Sequence, residues 1–131
     1  MNQSNTLPKD ERLSRKKLID ELFAHGLAIK TPALVLVWRE LTLPVELPAQ
    51  VMFTASKRNF RRAHDRNRVK RLMREAYRVQ KHDLLDAMAG SGKQFGLLFI
   101  FTGRQLPDYA YVHGRTTELL RRMLREIRPL D

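Results

Sequence analysis

A block of positive charge between residues 57 and 82 constrains the fold more than any other feature of the sequence. It contains eleven lysines and arginines but only two acidic residues, so its net charge is +9. Within the block, apolar side chains recur at helical spacing, at Val69, Leu72, Met73, Ala76 and Tyr77, and basic side chains occupy most other positions. The pattern predicts an amphipathic helix that buries one face and exposes a basic one.

The rest of the chain is nearly neutral. The 131 residues carry a formal net charge of +11 and the sequence pI is about 10.7, so only +2 lies outside the block. Charge concentrated in one segment indicates a single docking surface, and its natural partner is a polyanion. Nucleic acid is therefore the first expectation.

Length and composition predict one globular domain over residues 1–131, with a core from about 12 to 127, because 43% of the residues are apolar and 30% are charged. The absence of cysteine excludes disulfides, thiolate metal sites and cysteine nucleophiles. The longest apolar stretches fall far short of the roughly 20 residues that span a bilayer. Residues 1–13 also lack the apolar core of a signal peptide, so a cytoplasmic protein is expected.

Hydrophobic periodicity predicts an α+β fold with the element order αββαβα. The predicted helices run over Leu13–His25, from about Arg62 to Met88, and over Val112–Ile127, where Pro129 closes the last one. The predicted strands are Ala33–Arg39, Val51–Ser56 and Phe95–Thr102, and the first two are interpreted as an antiparallel hairpin with a long connection. Together these elements predict a two-layer α-β sandwich, with helices packed on a small sheet.

One run inside the basic block is specific. Ser56-Lys57-Arg58 ends a predicted strand, and Arg66-Asn67-Arg68-Val69-Lys70-Arg71-Leu72-Met73-Arg74-Glu75 opens the helix that follows a turn. This run resembles the signature of the bacterial ribonuclease P protein subunit. The resemblance extends from about Leu13 to Leu124, although the turn Asn59–Arg62 is one residue longer than is usual and His64 stands in place of a valine.

The resemblance implies a ribosomal protein S5 domain 2-like sandwich with a left-handed βαβ crossover. It also implies a monomeric subunit in a 1:1 ribonucleoprotein endonuclease that removes the 5′ leader from precursor tRNA. Catalysis would belong to the RNA subunit and its Mg²⁺ ions, so the protein alone would be inactive. The protein would bind the catalytic RNA and the single-stranded leader, and it would have no membrane partner.

Two sets of site residues follow from the same resemblance. The expected contacts with the catalytic RNA are Lys57, Arg58, Arg62, Arg66, Asn67, Arg68, Lys70, Arg71 and Arg74. Spacing supports them independently, because cations that repeat every four residues form a ridge on a helix, suited to successive phosphates. The expected leader cleft comprises Ile19, Phe23, Val35, Val37, Thr54 and Ser56.

Two other functions remain open from the sequence. A ribosomal or chaperone-like RNA-binding protein would share the charge and the sandwich. A self-sufficient metal nuclease would need carboxylates such as Asp83 and Asp86, which are better explained as the solvated end of a helix. The four histidines have no spacing that seats a metal, and the segment Ala89–Gln94 departs from a phosphate-binding loop.

Overall fold

The computed structural model describes residues 7–128. Within that range the helices are α1 (Lys16–His25), α2 (Ala63–Arg78), α3 (His82–Ser91) and α4 (Tyr109–Ile127), and a 3-10 turn covers Lys9–Glu11. The strands are β1 (Leu27–Thr31), β2 (Leu34–Glu40), β3 (Ala49–Ala55) and β4 (Phe95–Phe101). The α+β class is confirmed and the predicted elements occur in the predicted order, with one additional strand and a break in the second helix. The predicted closure by Pro129 lies outside the described residues.

The four strands form one mixed sheet in the order β1-β2-β4-β3. β4 pairs antiparallel with β2 and parallel with β3, for example through Leu36↔Phe99 and Phe53↔Phe99. The predicted antiparallel hairpin of Ala33–Arg39 with Val51–Ser56, the segments that form β2 and β3, is therefore wrong, because β4 lies between them. β4 is apolar along its whole length and buried at all but Ile100, which suits a central strand.

β1 was not predicted from the sequence. It forms a tight hairpin with β2, in which Ala33 adopts a positive φ of 67° and the hydroxyl of Thr31 donates to the carbonyl of Leu34 at 2.7 Å. Leu27, Ala28 and Lys30 are exposed because β1 is an edge strand. With one side of the strand open to solvent, its sequence carries little of the apolar pattern that marks a strand.

The second predicted helix is two helices, because α2 ends at Arg78 and α3 begins at His82. Neither glycine nor proline lies at the break, which is fixed by contacts with distant segments. The Gln80 amide donates to the carbonyl of His113 at 3.1 Å, and Lys81 Nζ lies 2.6 Å from Glu11 Oε1. β3, α2, α3 and β4 together form a βαβ unit, since β3 and β4 are parallel neighbours.

The two faces of the sheet are covered differently. On one face, here called the packed face, α2, α3 and α4 bury the main core, where the ring of Tyr77 lies 5.9 Å from Phe53 and 5.7 Å from Phe99. Trp38 also turns to this face, as strand alternation predicts. On the opposite face α1 packs Leu22 against Leu98 and Leu13 in a smaller cluster. The fold therefore leaves part of that second face available to a ligand.

Candidate nucleic-acid interface

The nine residues predicted to contact RNA lie on the turn after β3 and on the first twelve residues of α2, and they are here called the basic surface. Val69, Met73, Ala76 and Tyr77 bury the opposite side of the helix. Lys57, Arg58, Arg62, Asn67, Arg68 and Arg71 are exposed, and Arg66, Lys70 and Arg74 are half-buried. The predicted amphipathic helix is confirmed, and its packing presents the cations on one side of the molecule.

The turn between β3 and α2 is held to the sheet by its own residues. The side chain of Phe60 is buried, and its ring lies 6.0 Å from that of Phe101. The Asn59 amide donates to the carbonyl of Thr102 at 3.2 Å, and the hydroxyl of Ser56 accepts from the backbone N–H of Arg58 at 3.0 Å. These contacts fix the turn while the Arg58 side chain stays exposed.

Arg66 also has a structural role, which the sequence did not reveal. Its Nη1 donates to the carbonyl of Phe60 at 2.8 Å and to the carbonyl of Arg61 at 3.0 Å. The guanidinium therefore ties the second turn of α2 to the preceding loop. Two carbonyls bound by one charged donor hold the start of the helix rigidly against that loop.

Arg74 is a half-buried member of the basic surface. Its guanidinium carbon is 5.9 Å from the centre of the Phe53 ring, and its neighbours include Arg12 and Arg71. Burial, followed by the charges of Arg12 and Arg71, holds the pKa of Arg74 below its usual value. Among residues 7–128, none of these three arginines is within 4.0 Å of a carboxylate oxygen. Arg12 was not predicted as a site residue, because only the tertiary structure brings it to α2.

At the C-terminal end of α2, in contrast, the cations have carboxylate partners. Arg78 donates to both carboxylate oxygens of Glu75, at 3.0 and 2.6 Å, and this hydrogen bonding lowers the pKa of Glu75. Lys81, just past the helix, is paired with Glu11. The positive charges at this end are therefore neutralised within the chain.

The open part of the second sheet face is a strip that crosses all four strands. The register aligns Lys30, Val35, Ile100 and Thr54 in one row, and Ser56 follows Thr54 by two residues. Val35, Ile100, Thr54 and Ser56 are half-exposed and Lys30 is exposed. This strip contains three of the six predicted cleft residues. Ile100 and Lys30 were missed, although alternation along a strand could have identified Ile100.

α1 borders this strip. On one flank of the helix, Glu21 Oε2 lies 3.3 Å from Arg39 Nε and the carbonyl of His25 accepts from Arg39 at 3.1 Å. Helical spacing places Ile19 and Phe23 on the other flank, toward the strip. Phe23 is 62% exposed, so it is not a core residue.

Two of the predicted cleft residues, Ile19 and Val37, pack against the small cluster beneath α1. Val37 also lies directly under the end of α1, where a Cβ added to Gly26 would lie only 2.4 Å from Val37 Cγ1. Val37 therefore closes one side of the cleft rather than lining its open part.

The remaining candidate sites of the sequence do not come together. Asp83 and Asp86 are exposed on α3, as a solvated helix surface requires. Across residues 7–128 no group of three or more His, Cys, Asp or Glu side chains could hold a metal ion. Over the same range no helix is long and apolar enough to cross a membrane.

Comparisons with known proteins agree on one family. A family model described as ribonuclease P matches residues 7–124. The ribonuclease P protein component of Chlorobaculum tepidum is 36% identical over 93% of this chain and 85% of its own length. That of Porphyromonas gingivalis is 36% identical over 81% of this chain and 77% of its own.

Two solved structures share the fold. The RNase P protein of Staphylococcus aureus superimposes with a TM-score of 0.68 at 15% identity and covers 88% of this chain and 96% of its own. The RNase P protein of Thermotoga maritima superimposes with a TM-score of 0.65 at 21% identity and covers 86% of this chain and 96% of its own.

Proposed function

The chain belongs to the ribonuclease P protein family, and from this premise we propose that it is the protein subunit of a ribonucleoprotein that removes the 5′ leader from precursor tRNA. Its basic surface docks on the catalytic RNA, and the strip beside α1 holds the single-stranded leader. Both contacts raise the affinity and the specificity of the assembly for its substrate.

The observation that carries the RNA-binding role is the set of cations on and beside α2 that lack carboxylate partners among the described residues. Arg71, Arg74 and Arg12 lie together, and desolvation already depresses the pKa of Arg74. Such a cluster is stabilised by an anion that can accept several charge-assisted hydrogen bonds, and RNA phosphates do this. Docking that engages roughly six phosphates would make affinity fall about three decades between 50 and 200 mM salt.

The leader-binding role is supported by the shape and chemistry of the open strip. Val35 and Ile100 give it an apolar floor, and the exposed ring of Phe23 stands at its border. Four neighbouring strands place its ends about 14 Å apart, which fits a few extended nucleotides. The bases can stack on Phe23 while Lys30 contacts the backbone, and stacking contributes about 1–3 kcal/mol per base.

Catalysis is assigned to the RNA partner. Near the basic surface Glu75 is bound to Arg78, and neither Glu75 nor Asp65 belongs to a group of three or more possible metal ligands among residues 7–128. These side chains do not make a magnesium site in this chain. We therefore expect Mg²⁺ to be held mainly by the catalytic RNA.

Reconstitution with the catalytic RNA tests the proposal. Cleavage of precursor tRNA at limiting Mg²⁺ is expected from the RNA with the protein, and the protein alone is expected to be inactive. Cleavage by the protein alone, lost in Asp83→Ala or Asp86→Ala, would establish a metal nuclease instead. Recovery of ribosomal RNA alone after crosslinking in cells would favour the other RNA-binding function.

A second measurement isolates the leader cleft. Phe23→Ala removes an exposed ring, so we expect it to weaken binding of leader-bearing substrate about fivefold or more by the loss of stacking. Binding of mature tRNA by the same holoenzyme should not change. Equal losses for both substrates would contradict a leader contact at Phe23.

A further inference from the structure

A cavity that neither the basic surface nor the leader cleft uses opens at the end of the sheet between β4 and α4. Its volume is about 470 Å³, and its walls come from the loop between Gly103 and Asp108, from Ala33 and from Tyr111. Two large apolar side chains at this cavity are exposed, Leu106 by 44% and Tyr111 by 40%. Exposed apolar groups gathered around a cavity indicate a binding site more strongly than the same groups scattered on a surface.

The aromatic wall of the cavity is held in place before any ligand binds. The Tyr111 hydroxyl donates to the carbonyl of Pro32 at 3.0 Å, and the guanidinium carbon of Arg115 lies 5.4 Å from the ring centre. The N–H of Tyr111 also donates to Asp108 Oδ1 at 2.8 Å. A fixed ring loses little conformational freedom when a ligand packs on it, which favours a planar ligand such as a nucleobase.

The cavity is continuous with the basic surface through Arg104. This residue lines the apolar cavity and also a second one of about 320 Å³, which it shares with Arg58 and Asn59. The carboxylate of Asp108 lies within the first cavity and repels a phosphate there. The two cavities therefore suit different parts of one nucleotide. The first has room for a neutral base, and the second has room for a phosphate between two arginines.

We propose that these cavities bind one unpaired nucleotide of the catalytic RNA, with its base against Leu106 and Tyr111 and its phosphate between Arg58 and Arg104. This rests on the proposed docking of that RNA. The occupant is the catalytic RNA and not the leader, because the cavity adjoins the packed face. Phe101 and Ala33, which line it, both pack with the main core, whereas the leader strip lies on the opposite side of the sheet.

Binding of the catalytic RNA by Leu106→Ala tests the apolar half of the site. The dissociation constant should rise about fivefold, because the base would lose the apolar surface that the Leu106 side chain offers it. Leu27→Ala is the matched control, because Leu27 is 58% exposed on β1, far from the basic surface along the sheet, and its binding should equal that of the wild type. Arg104→Ala should lower the salt dependence by about one phosphate contact.

The outcomes separate this site from the function it rests on. Binding by the wild type together with unchanged binding by Leu106→Ala overturns the nucleotide site alone. Failure of the wild type to bind the catalytic RNA overturns both.

The occupant can be identified directly because the sequence contains no cysteine. A photo-crosslinker attached to L106C in the reconstituted holoenzyme should react with an unpaired nucleotide of the catalytic RNA. Crosslinks confined to the leader of precursor tRNA, or to base-paired segments, would overturn the assignment.

Discussion

Both ends of α2 carry positive charge, but the chain supplies carboxylate partners for it at only one of them. Over the first twelve residues of the helix Asn67, Arg68 and Arg71 are exposed, and Arg74 lies beside other arginines. At its end Arg78 is paired with Glu75, and Lys81 beyond it is paired with Glu11. Charges that the chain neutralises itself hold its elements together, and charges that it leaves without a carboxylate are available to an RNA partner.

The helix dipole adds to the difference between the two ends of α2. Cations are stabilising near a helix C-terminus and destabilising near the N-terminus, where the backbone N–H groups already give a partial positive charge. α2 begins directly after Arg62, and Asp65 is the acidic residue of its first turn. The carboxylate of Asp65 offsets part of the repulsion between Arg62 and the backbone N–H groups, and these N–H groups favour an anion at this end.

The largest effect is expected from the start of the helix. The double variant R68A/R71A should weaken binding of the catalytic RNA by about 3 kcal/mol, because each charge-assisted hydrogen bond contributes about 1.5–3 kcal/mol. This is roughly a hundredfold or more in the dissociation constant, measured by filter binding. Its free energy of unfolding should change by less than about 0.5 kcal/mol, because both side chains are exposed.

R121A/R125A is the matched control, since it removes two exposed arginines from α4 and the same net charge. We expect it to reduce binding far less, by a general charge effect only. Equal losses from the two double variants would show that total charge matters and that the start of α2 is not special.

A smaller effect, on stability, is expected from the neutralised end. Glu11→Ala leaves Lys81 without its partner, and their side chains are only 18% and 11% exposed. Removal of one member of a largely buried pair should cost about 2 kcal/mol in the free energy of unfolding, measured by urea denaturation. The affinity of the folded variant for RNA should stay within about twofold. A loss of affinity as large as that of R68A/R71A would remove the distinction between the two ends.

The smallest effect concerns Glu75 and depends on pH. Its pKa is lowered in the folded state, first by its hydrogen bonds with Arg78, so its contribution to stability is present above its unfolded pKa of about 4.3 and is lost as pH falls through the folded value. Glu75→Gln should therefore be less stable than the wild type at pH 7, by under about 1 kcal/mol because the pair is partly exposed. The thermal melts of the two proteins should converge as the pH falls through the folded pKa of Glu75, and a difference that stayed constant into the acid range would contradict the ion pair.

Hydrophobic periodicity along the chain predicted most of the helices and strands, because apolar residues recur in each of them at a clear spacing. α2 begins at Ala63, close to the predicted start at about Arg62, and α4 ends at Ile127 as predicted. The break between α2 and α3 could not be predicted, since it depends on Gln80 reaching His113 and Lys81 reaching Glu11. Such contacts join residues that are distant in sequence.

Strand pairing also depends on residues that are distant in sequence. The insertion of β4 between β2 and β3 is decided by the burial of a continuous apolar strand on both faces, and neighbouring strands in sequence give no sign of it. The site was easier to predict on α2, where spacing alone places the cations. Arg12 and the cavity beside Leu106 required the folded chain.

The central claim is that the start of α2 docks on the catalytic RNA, and tethered hydroxyl-radical cleavage tests it most directly. With no native cysteine, an iron chelate can be attached to A63C at the start of α2 or to A89C near the end of α3, both at exposed positions. We expect localised cuts in the catalytic RNA from A63C and few or none from A89C. Equal cutting from both sites, or cutting from A89C alone, would contradict it.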